Sequence, residues 1–540
     1  MTKLRLGRFT TFALCIALFI LAMAHAPVHS GWRGVAVTFG LLSLLGLWDL
    51  VQRQHSVLRN YPVIGHIRWL VEMIRPEIRQ YLLEADEEAA PFSRDQRSLA
   101  YRRAKGISSE HPFGTLVDVY ARDYSFIQHS IAPIARPDPK SFRIIIGNDQ
   151  CAQPYSASIF NISAMSFGSL SANAILALNK GAALGGFYHD TGEGSISRYH
   201  REFGGDIVWE VASGYFGCRT DDGHFDPDKF AAQAQQPQIK MIEIKLSQGA
   251  KPGHGGILPG KKVTAEIAAA RGVPIGVDCI SPSHHSAFST PLEMMAFIAQ
   301  LRELSGGKPV GFKLCIGHPW EFMGLVKAML ESGIVPDFVV VDGGEGGTGA
   351  APVEFSDHIG VPMREGLIFV RNVLTGAGLR DRIKIGVAGR LISAFDLATV
   401  LAIGADWTNA ARGYMFALGC IQSMSCNTNR CPTGVATQDQ MRQNALVVPD
   451  KAERVRNFHD QTVSALADML AAAGIAHPND LQPHHLVHRQ TSTELHQFGR
   501  QHHFLKANCL VSGECDLPFY RDNWALAQAA SFAPAAVSQC

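Results

Sequence analysis

Residues 338–349 read Phe338-Val339-Val340-Val341-Asp342-Gly343-Gly344-Glu345-Gly346-Gly347-Thr348-Gly349. Four apolar residues, three of them β-branched, give way to an acid and then to five glycines in seven positions. The apolar run suits a strand buried on both faces, as in a parallel sheet, and the glycines leave backbone N–H groups bare. The pattern returns in Ile383-Lys384-Ile385-Gly386-Val387-Ala388-Gly389-Arg390, ahead of a helix-like run from Ser393. Glycine loops after neighbouring strands, with a helix N-terminus beside them, let backbone approach an anion closely. A phosphorylated cofactor or substrate is therefore expected here.

Outward from these two runs, short β-branched segments alternate with helical patterns. They lie at 159–164, 186–189, 207–212, 241–246, 275–280, 311–316, 338–341 and 383–387. Eight alternations over roughly 250 residues predict an α/β chain folded as a (β/α)8 TIM barrel. The two glycine clusters then follow its seventh and eighth strands. Polar residues after the runs should converge on one mouth. They include Met165-Ser166-Phe167-Gly168, Asp190-Thr191-Gly192-Glu193, Ser213-Gly214, Lys245, Lys251, His284-His285, Lys313 and Gly389-Arg390.

The whole chain has 540 residues, 51 of them glycine, with Lys+Arg 49 against Asp+Glu 48. That balance gives no uniform field for nucleic acid, and 46% hydrophobic content excludes disorder. A mean hydropathy of +0.04 is high for a soluble protein. Residues 9–32 carry no charge apart from histidine, after Lys3, Arg5 and Arg8. Residues 35–48 are uncharged again, bracketed by Trp32 and Trp48 and followed by Arg53, Arg59 and Arg68. The second run argues against a signal peptide cleaved near Ala22-Met23-Ala24 and for an N-terminal transmembrane helical hairpin with both ends in the cytoplasm. It is short for a hydrocarbon core of roughly 30 Å, so an interfacial seat and a hairpin buried in the globular fold are the alternatives. The expected organisation is a membrane anchor over 1–52, a helical collar over 53–157, the barrel over 158–440 and a helical extension over 441–540. The cytoplasmic (inner) membrane is the expected location, with the catalytic part facing the cytoplasm.

Eleven cysteines are unevenly spread. Cys420, Cys426 and Cys431 share one short segment ending in Pro432. Three thiolates with a following proline suit an iron–sulfur cluster, whereas structural zinc wants four closed ligands. A cytoplasmic location disfavours disulfides.

Several motifs carry a resemblance to a known family. They are Ile162-Ser163-Ala164-Met165-Ser166-Phe167-Gly168-Ser169, Thr191-Gly192-Glu193-Gly194, Glu243-Ile244-Lys245, Gln248-Gly249-Ala250-Lys251-Pro252-Gly253, Leu258-Pro259-Gly260, Ile280-Ser281-Pro282, Gly346-Gly347-Thr348-Gly349-Ala350 and the segment 420–438. Together they resemble the FMN-binding synthase domain of glutamate synthase over residues 158–488. The resemblance implies FMN at the barrel mouth and a 3Fe-4S cluster on Cys420, Cys426 and Cys431. It puts the flavin ring against Ser163, Ala164 and Met165, with Lys313 balancing negative charge on the reduced ring. Gly346, Gly347, Thr348 and Gly389 would hold the FMN phosphate, and Ser213 and Arg390 complete the cofactor set. Lys245, Lys251 and Arg271 match positions that bind oxoacid carboxylates, and Glu193 matches an acid that handles ammonia.

Three positions depart from the family pattern. Tyr215 stands where arginine is usual, His254 where glutamate is, and Ile257 where a glutamine lies near the oxoacid. Losing that polar contact can change substrate choice. The residues before 158 hold no amidotransferase domain, and no strand is followed by a Gly-x-Gly-x-x-Gly turn for a dinucleotide. The expected function is reduction of 2-iminoglutarate, from 2-oxoglutarate and ammonia, to L-glutamate. A one-electron donor such as ferredoxin and free ammonium or a separate amidotransferase subunit would serve it. The rivals are the same cofactors acting on another 2-oxo acid or an N-substituted glutamate, and a membrane redox relay without turnover.

Overall fold

The computed structural model describes residues 7–52, 55–83, 90–108, 110 and 112–536. Contacts divide the chain into two compact units, residues 1–95 and 96–540.

The larger unit is built on a closed barrel of eight parallel strands. In chain order they are β1 (Phe160–Ile162), β2 (His189–Asp190), β3 (Ile207–Val211), β4 (Ile239–Lys245), β5 (Val310–Leu314), β6 (Phe338–Asp342), β7 (Lys384–Ala388) and β8 (Trp407–Ala410). Each strand pairs with its sequence neighbour, and β8 closes on β1. A helix follows every strand, from Ala172–Gly185 after β1 to Arg412–Leu418 after β8. Caps fix where several of these helices start. Ser171 accepts from the Ala174 amide, and Ser393 forms a capping box with Asp396.

Two sequence expectations need correction. The run 275–280 is not a barrel strand: only Cys279–Ile280 is extended, pairing with Ile257–Leu258 in a two-stranded ribbon. This ribbon sits in the long excursion between β4 and the helix Pro291–Leu304. Ile275, Val277 and Ile280 are 65%, 55% and 64% exposed, so the run is apolar without being core. The strand that the expectation lacked is β8, Trp-Thr-Asn-Ala. It looks polar, yet all four residues are buried, because each polar group has a partner. Trp407 Nε1 donates to Tyr188 Oη (2.8 Å), Tyr188 Oη donates to Asn409 Oδ1 (2.6 Å), and Thr408 Oγ1 donates to the Ile159 carbonyl (2.7 Å). The glycine clusters consequently follow β6 and β7, and Lys313 belongs to the fifth strand.

Asp337, fully buried just before β6, anchors the closed end of this frame. It accepts from Arg302 Nη2 (2.9 Å), the Val310 amide (2.8 Å) and the Asn148 amide (2.8 Å). Replacing Asp337 with Ala strands a buried guanidinium and two amides. We expect a loss of about 3–5 kcal/mol, read as a lower denaturant midpoint at unchanged slope.

The smaller unit begins with α1 (Thr10–His25) and α2 (Gly31–Val51). They run antiparallel: a Cβ on Gly46 would meet the Phe12 ring, and one on Gly40 the Phe19 ring. Here too the expectation shifts, since the second helix is the longer. Its 21 residues span about 30 Å at 1.5 Å each, and it alone among the described helices is long and apolar enough to cross a membrane. Trp32, Arg33 and the turn from Trp48 to Val51 are all helical, which lengthens it beyond the uncharged stretch. In the last turn of α2, buried Asp49 accepts from the Val63 amide (2.9 Å) and pairs with His66 Nε2 (2.8 Å).

Candidate active site

The C-terminal ends of the strands bring most of the expected residues to one mouth. Glu193 follows β2, and its carboxylate lies 3.2 Å from Lys245 Nζ at the end of β4. Lys245 also donates to Gln248 Oε1 (2.6 Å) and lies 3.8 Å from Glu210 on β3. Lys251 and Arg271 reach the same locus from the excursion after β4. Burial pushes the Glu193 carboxyl up, but the charges of Lys245, Arg271 and Lys251 outweigh it and hold the group below its ordinary value. Glu193 is therefore an ionised, cation-ringed carboxylate at neutral pH. Burial lowers Lys251, which Glu193 opposes; its ammonium donates to the Ala350 carbonyl at 3.1 Å.

Two glycines set this acid's place: Gly192 lets its loop approach the loop after β1, and Gly256 leaves room for the carboxylate. Gly192 has φ +64, and a Cβ there would lie 2.7 Å from the Ser166 amide nitrogen. A Cβ on Gly256 would stand 2.0 Å from Glu193 Oε1. Arg271 is buried across the loop after β1, donating to the Phe167 carbonyl (3.1 Å) with its guanidinium over the Phe216 ring (5.1 Å). Its Nε has no partner among the described residues.

Below the mouth lies a charged layer of which the sequence displayed Asp190, Glu243 and Lys313 separately but neither Glu210 nor their grouping. Asp190, Glu210 and Glu243 bring carboxylate oxygens within 4.8 Å of one another. Lys313 joins them, paired with Glu210 and, at 3.3 Å, with Glu243. Burial opposes the ammonium charge, but Glu210, Glu243, Asp190 and Asp342 hold Lys313 well above the usual amine range. Burial raises Glu243 and Asp190, so this interior retains protons that surface carboxylates would lose. Register was the signal available: residues two apart on neighbouring strands point inward together, and Glu210 pairs with Glu243 as Lys245 does with Lys313.

The glycine loop after β6 packs against the end of β7, the Gly343 amide donating to the Ala388 carbonyl (3.0 Å), and against the loop after β7, where a Cβ on Gly389 would lie 3.2 Å from Glu345 Oε1. It also meets the excursion after β4 and the helix after β8. A Cβ on Gly249 would lie 1.6 Å from the Gly343 carbonyl oxygen, and one on Gly347 would lie 2.8 Å from Arg412. Gly346 donates back to Gly343, whereas among the described residues the amides of Gly347, Thr348, Gly389 and Arg390 donate to nothing. Arg412, which opens the helix after β8, donates to the Glu345 carbonyl at 2.7 Å. Burial, with Arg390 adding to it, pushes Arg412 down to about 10. Arg412 escaped the sequence analysis because its strand did.

Ser163 donates its amide to the Ala410 carbonyl (3.0 Å), and Ser163, Ala164 and Met165 line the start of the loop after β1. Ser213 is spent on the Pro282 carbonyl (2.6 Å). Tyr215 adopts φ 46, accepts from the Ala287 amide (3.1 Å) and meets His285 Nδ1 at 3.0 Å. His285 Nε2 faces the Lys245 carbonyl at 2.9 Å, so that nitrogen carries the proton and Nδ1 accepts from the tyrosine. Burial keeps this imidazole neutral, pushing it down to about 4.

Cys420, Cys426 and Cys431 come together beside the loop after β1. Burial pushes Cys420 up to about 12, with Cys426 and Cys431 adding to the rise. Cys431 goes the other way. Burial raises it, but the Thr433 hydroxyl and the amides of Ala436, Thr433 and Val435 hold it below the ordinary thiol value. The carboxylates of Asp190, Glu210 and Glu243 are the one set of three ligand atoms all within 4.8 Å of one another among the described residues, so at least one pair of the three sulfurs is separated by more than that.

A parallel barrel whose C-terminal mouth gathers bare amides, buried lysines and an ionised acid defines a (β/α)8-barrel enzyme with its active site at the usual end. The family model for the conserved region in glutamate synthase matches residues 127–476. The glutamate synthase large subunit-like protein YerD of Bacillus subtilis is 38% identical over 496 residues, covering 84% of this chain and 94% of that protein. The chain belongs to the glutamate synthase family. An archaeal-type glutamate synthase [NADPH] of Thermotoga neapolitana is 35% identical over 314 residues, and the match spans 58% of each chain. A solved flavocytochrome b2 variant with pyruvate bound aligns over 84% of this chain and 91% of its own, at 11% identity and a TM-score of 0.40.

Proposed function

We propose that the chain is an FMN- and 3Fe-4S-dependent oxidoreductase of the glutamate synthase type, reducing 2-iminoglutarate from 2-oxoglutarate and ammonia to L-glutamate. The observation that carries this is Glu193, ionised and ringed by Lys245, Lys251 and Arg271 at the mouth. Such a site can hold a dianionic oxoacid and still take a proton.

The residues present fit both groups. Uncommitted amides at Gly347, Thr348, Gly389 and Arg390, backed by Arg412, suit a phosphate monoester. The backbone of residues 163–165 offers a floor for the flavin ring. Cys431 is prepared for thiolate ligation, and three cysteines in one segment suit an iron–sulfur cluster, whereas a structural zinc ion wants four closed ligands. When bound, FMN would supply the hydride for the imino carbon, and the cluster would pass electrons one at a time to the flavin.

The chain's own residues then bind, orient and move protons. Lys251 and Arg271 receive the oxoacid carboxylates. Ammonium must shed a proton before attacking the carbonyl carbon, and Glu193 accepts it. The same cations that depress Glu193 are neutralised by the substrate carboxylates, so its basicity rises when the oxoacid is in place. A one-electron carrier such as ferredoxin is the proposed donor. Free ammonium or a separate amidotransferase subunit supplies nitrogen. The hairpin of α1 and α2 seats the enzyme in the inner membrane with the barrel on the cytoplasmic side.

Anaerobically reduced holoprotein titrated with 2-oxoglutarate plus ammonium should reoxidise its flavin and yield one L-glutamate per flavin. Flavin that stays reduced overturns the 2-oxoglutarate assignment. A second reading, another 2-oxo acid, is favoured by the apolar Ile257 and by His254, whose ring packs edge-on against Phe355 and whose Nδ1 faces the Gly255 carbonyl. Reoxidation by a different 2-oxo acid alone would select it.

A further inference from the structure

Lys262 ends the turn Gly260–Lys262 in the excursion after β4, and it is only 2% exposed. Its ammonium donates to the carbonyls of Ser169 (2.7 Å), Ala436 (3.2 Å) and Cys426 (3.3 Å). Ser169 lies in the loop after β1, on the flavin side, while Cys426 and Ala436 lie in the cysteine segment. The same two pieces of chain are joined by Gln438 Nε2, which donates to the Gly168 (3.0 Å) and Leu170 (2.8 Å) carbonyls, and by the Ser171 amide on the Val435 carbonyl (2.9 Å). Lys262 is thus the charged centre of a clasp between the two cofactor sites.

Its charge has no ordinary counter-ion. Lys245 and Lys313 are paired with carboxylates, but among the described residues no carboxylate lies within ion-pair distance of Lys262. Taking an ammonium out of water costs several kcal/mol unless an anion compensates it. Burial pulls the Lys262 ammonium down to about 8, and the groups that oppose this are the sulfurs of Cys426 and Cys431, which carry negative charge when they ligate iron. A cluster ligated by three thiolates is a net anion, and buried positive charge stabilises its reduced, more negative state.

We propose that Lys262 is a positioning residue for the iron–sulfur cluster: its buried charge balances the cluster and raises its reduction potential, while its three carbonyl contacts fix the cluster segment to the flavin loop. This rests on the cluster reading above. The test is an anaerobic redox titration of full-length holoprotein, following the oxidised cluster by EPR and the flavin by absorbance in one sample. In Lys262→Gln the cluster should become at least tenfold harder to reduce, a fall of about 59 mV for a one-electron couple, with a smaller change in the flavin. Lys262→Arg, which keeps the charge, should stay near the parent value. A K262Q cluster at the parent potential overturns the proposal, as does an equal shift in K262R. Loss of iron from K262Q but not K262R supports it, because charge alone then decides retention; loss from both overturns it in favour of packing. Unsubstituted protein that takes up no cluster on reconstitution removes the cluster reading itself, before any variant is measured.

Discussion

Replacing Glu193 with Gln should lower glutamate formation from 2-oxoglutarate and ammonium by about 10²–10⁴-fold, the range for loss of one acid–base group. The amide keeps the shape of the carboxylate but cannot take a proton from ammonium. It also leaves Lys245 without the partner now 3.2 Å away. The flavin should still bind, since Glu193 touches neither glycine loop, so the loss is read as kcat in a protein of normal visible spectrum. Gly256→Ala should act on the same acid by crowding, because a Cβ there would stand 2.0 Å from Oε1. The pH dependence follows from the depressed Glu193 value. A carboxyl held below its ordinary value is ionised above that lowered value and loses its function only as pH falls through it. The acid limb of kcat/KM, which reports the free enzyme, should therefore lie below the usual carboxylate range. The limb of kcat should lie higher, because bound oxoacid neutralises Lys251 and Arg271. Coincident limbs, or an E193Q enzyme within threefold of the parent, would sink the assigned role.

Replacing Cys431 with Ser should abolish turnover driven by a one-electron donor while leaving FMN in place. Cys431 is the thiol most ready to ligate, with the Thr433 hydroxyl and three backbone amides aimed at it. Serine keeps the size but offers no thiolate, and a cluster with one ligand missing is lost or reshaped. Iron and acid-labile sulfide should fall to background. Flavin reduced directly by dithionite should still be reoxidised by oxoacid plus ammonium, since the barrel mouth is untouched. A C431S protein with parental iron content and donor-driven rate contradicts the cysteine assignment.

Legibility in the sequence followed a physical rule. Where a residue's role depends on local backbone, the chain displays it. Phe338-Val339-Val340-Val341 and its glycines read as a strand and a bare loop because β-branched residues and glycines display their backbone preference locally, whichever strands pair with them. Where burial depends on a remote partner, the chain conceals it. Trp407-Thr408-Asn409-Ala410 is a core strand only because Tyr188 and the Ile159 carbonyl absorb its polar atoms. Ile275, Val277 and Ile280 look like core and face water. The same rule hid Glu210 and Arg412, whose significance lies in what strand register sets beside them.

The sequence by itself determined the barrel, seven of its eight strands, the glycine loops and the family, because periodicity and motif spacing are properties of neighbouring residues. Only the tertiary structure decided which run closes the barrel, and that Lys313 is spent on Glu210 and Glu243 inside it. Only it, too, ringed Glu193 with three cations from separate segments and placed Lys262 between the loop after β1 and the cysteine segment. Charges interact through space over a few ångströms, and distance in space is what a linear chain cannot display.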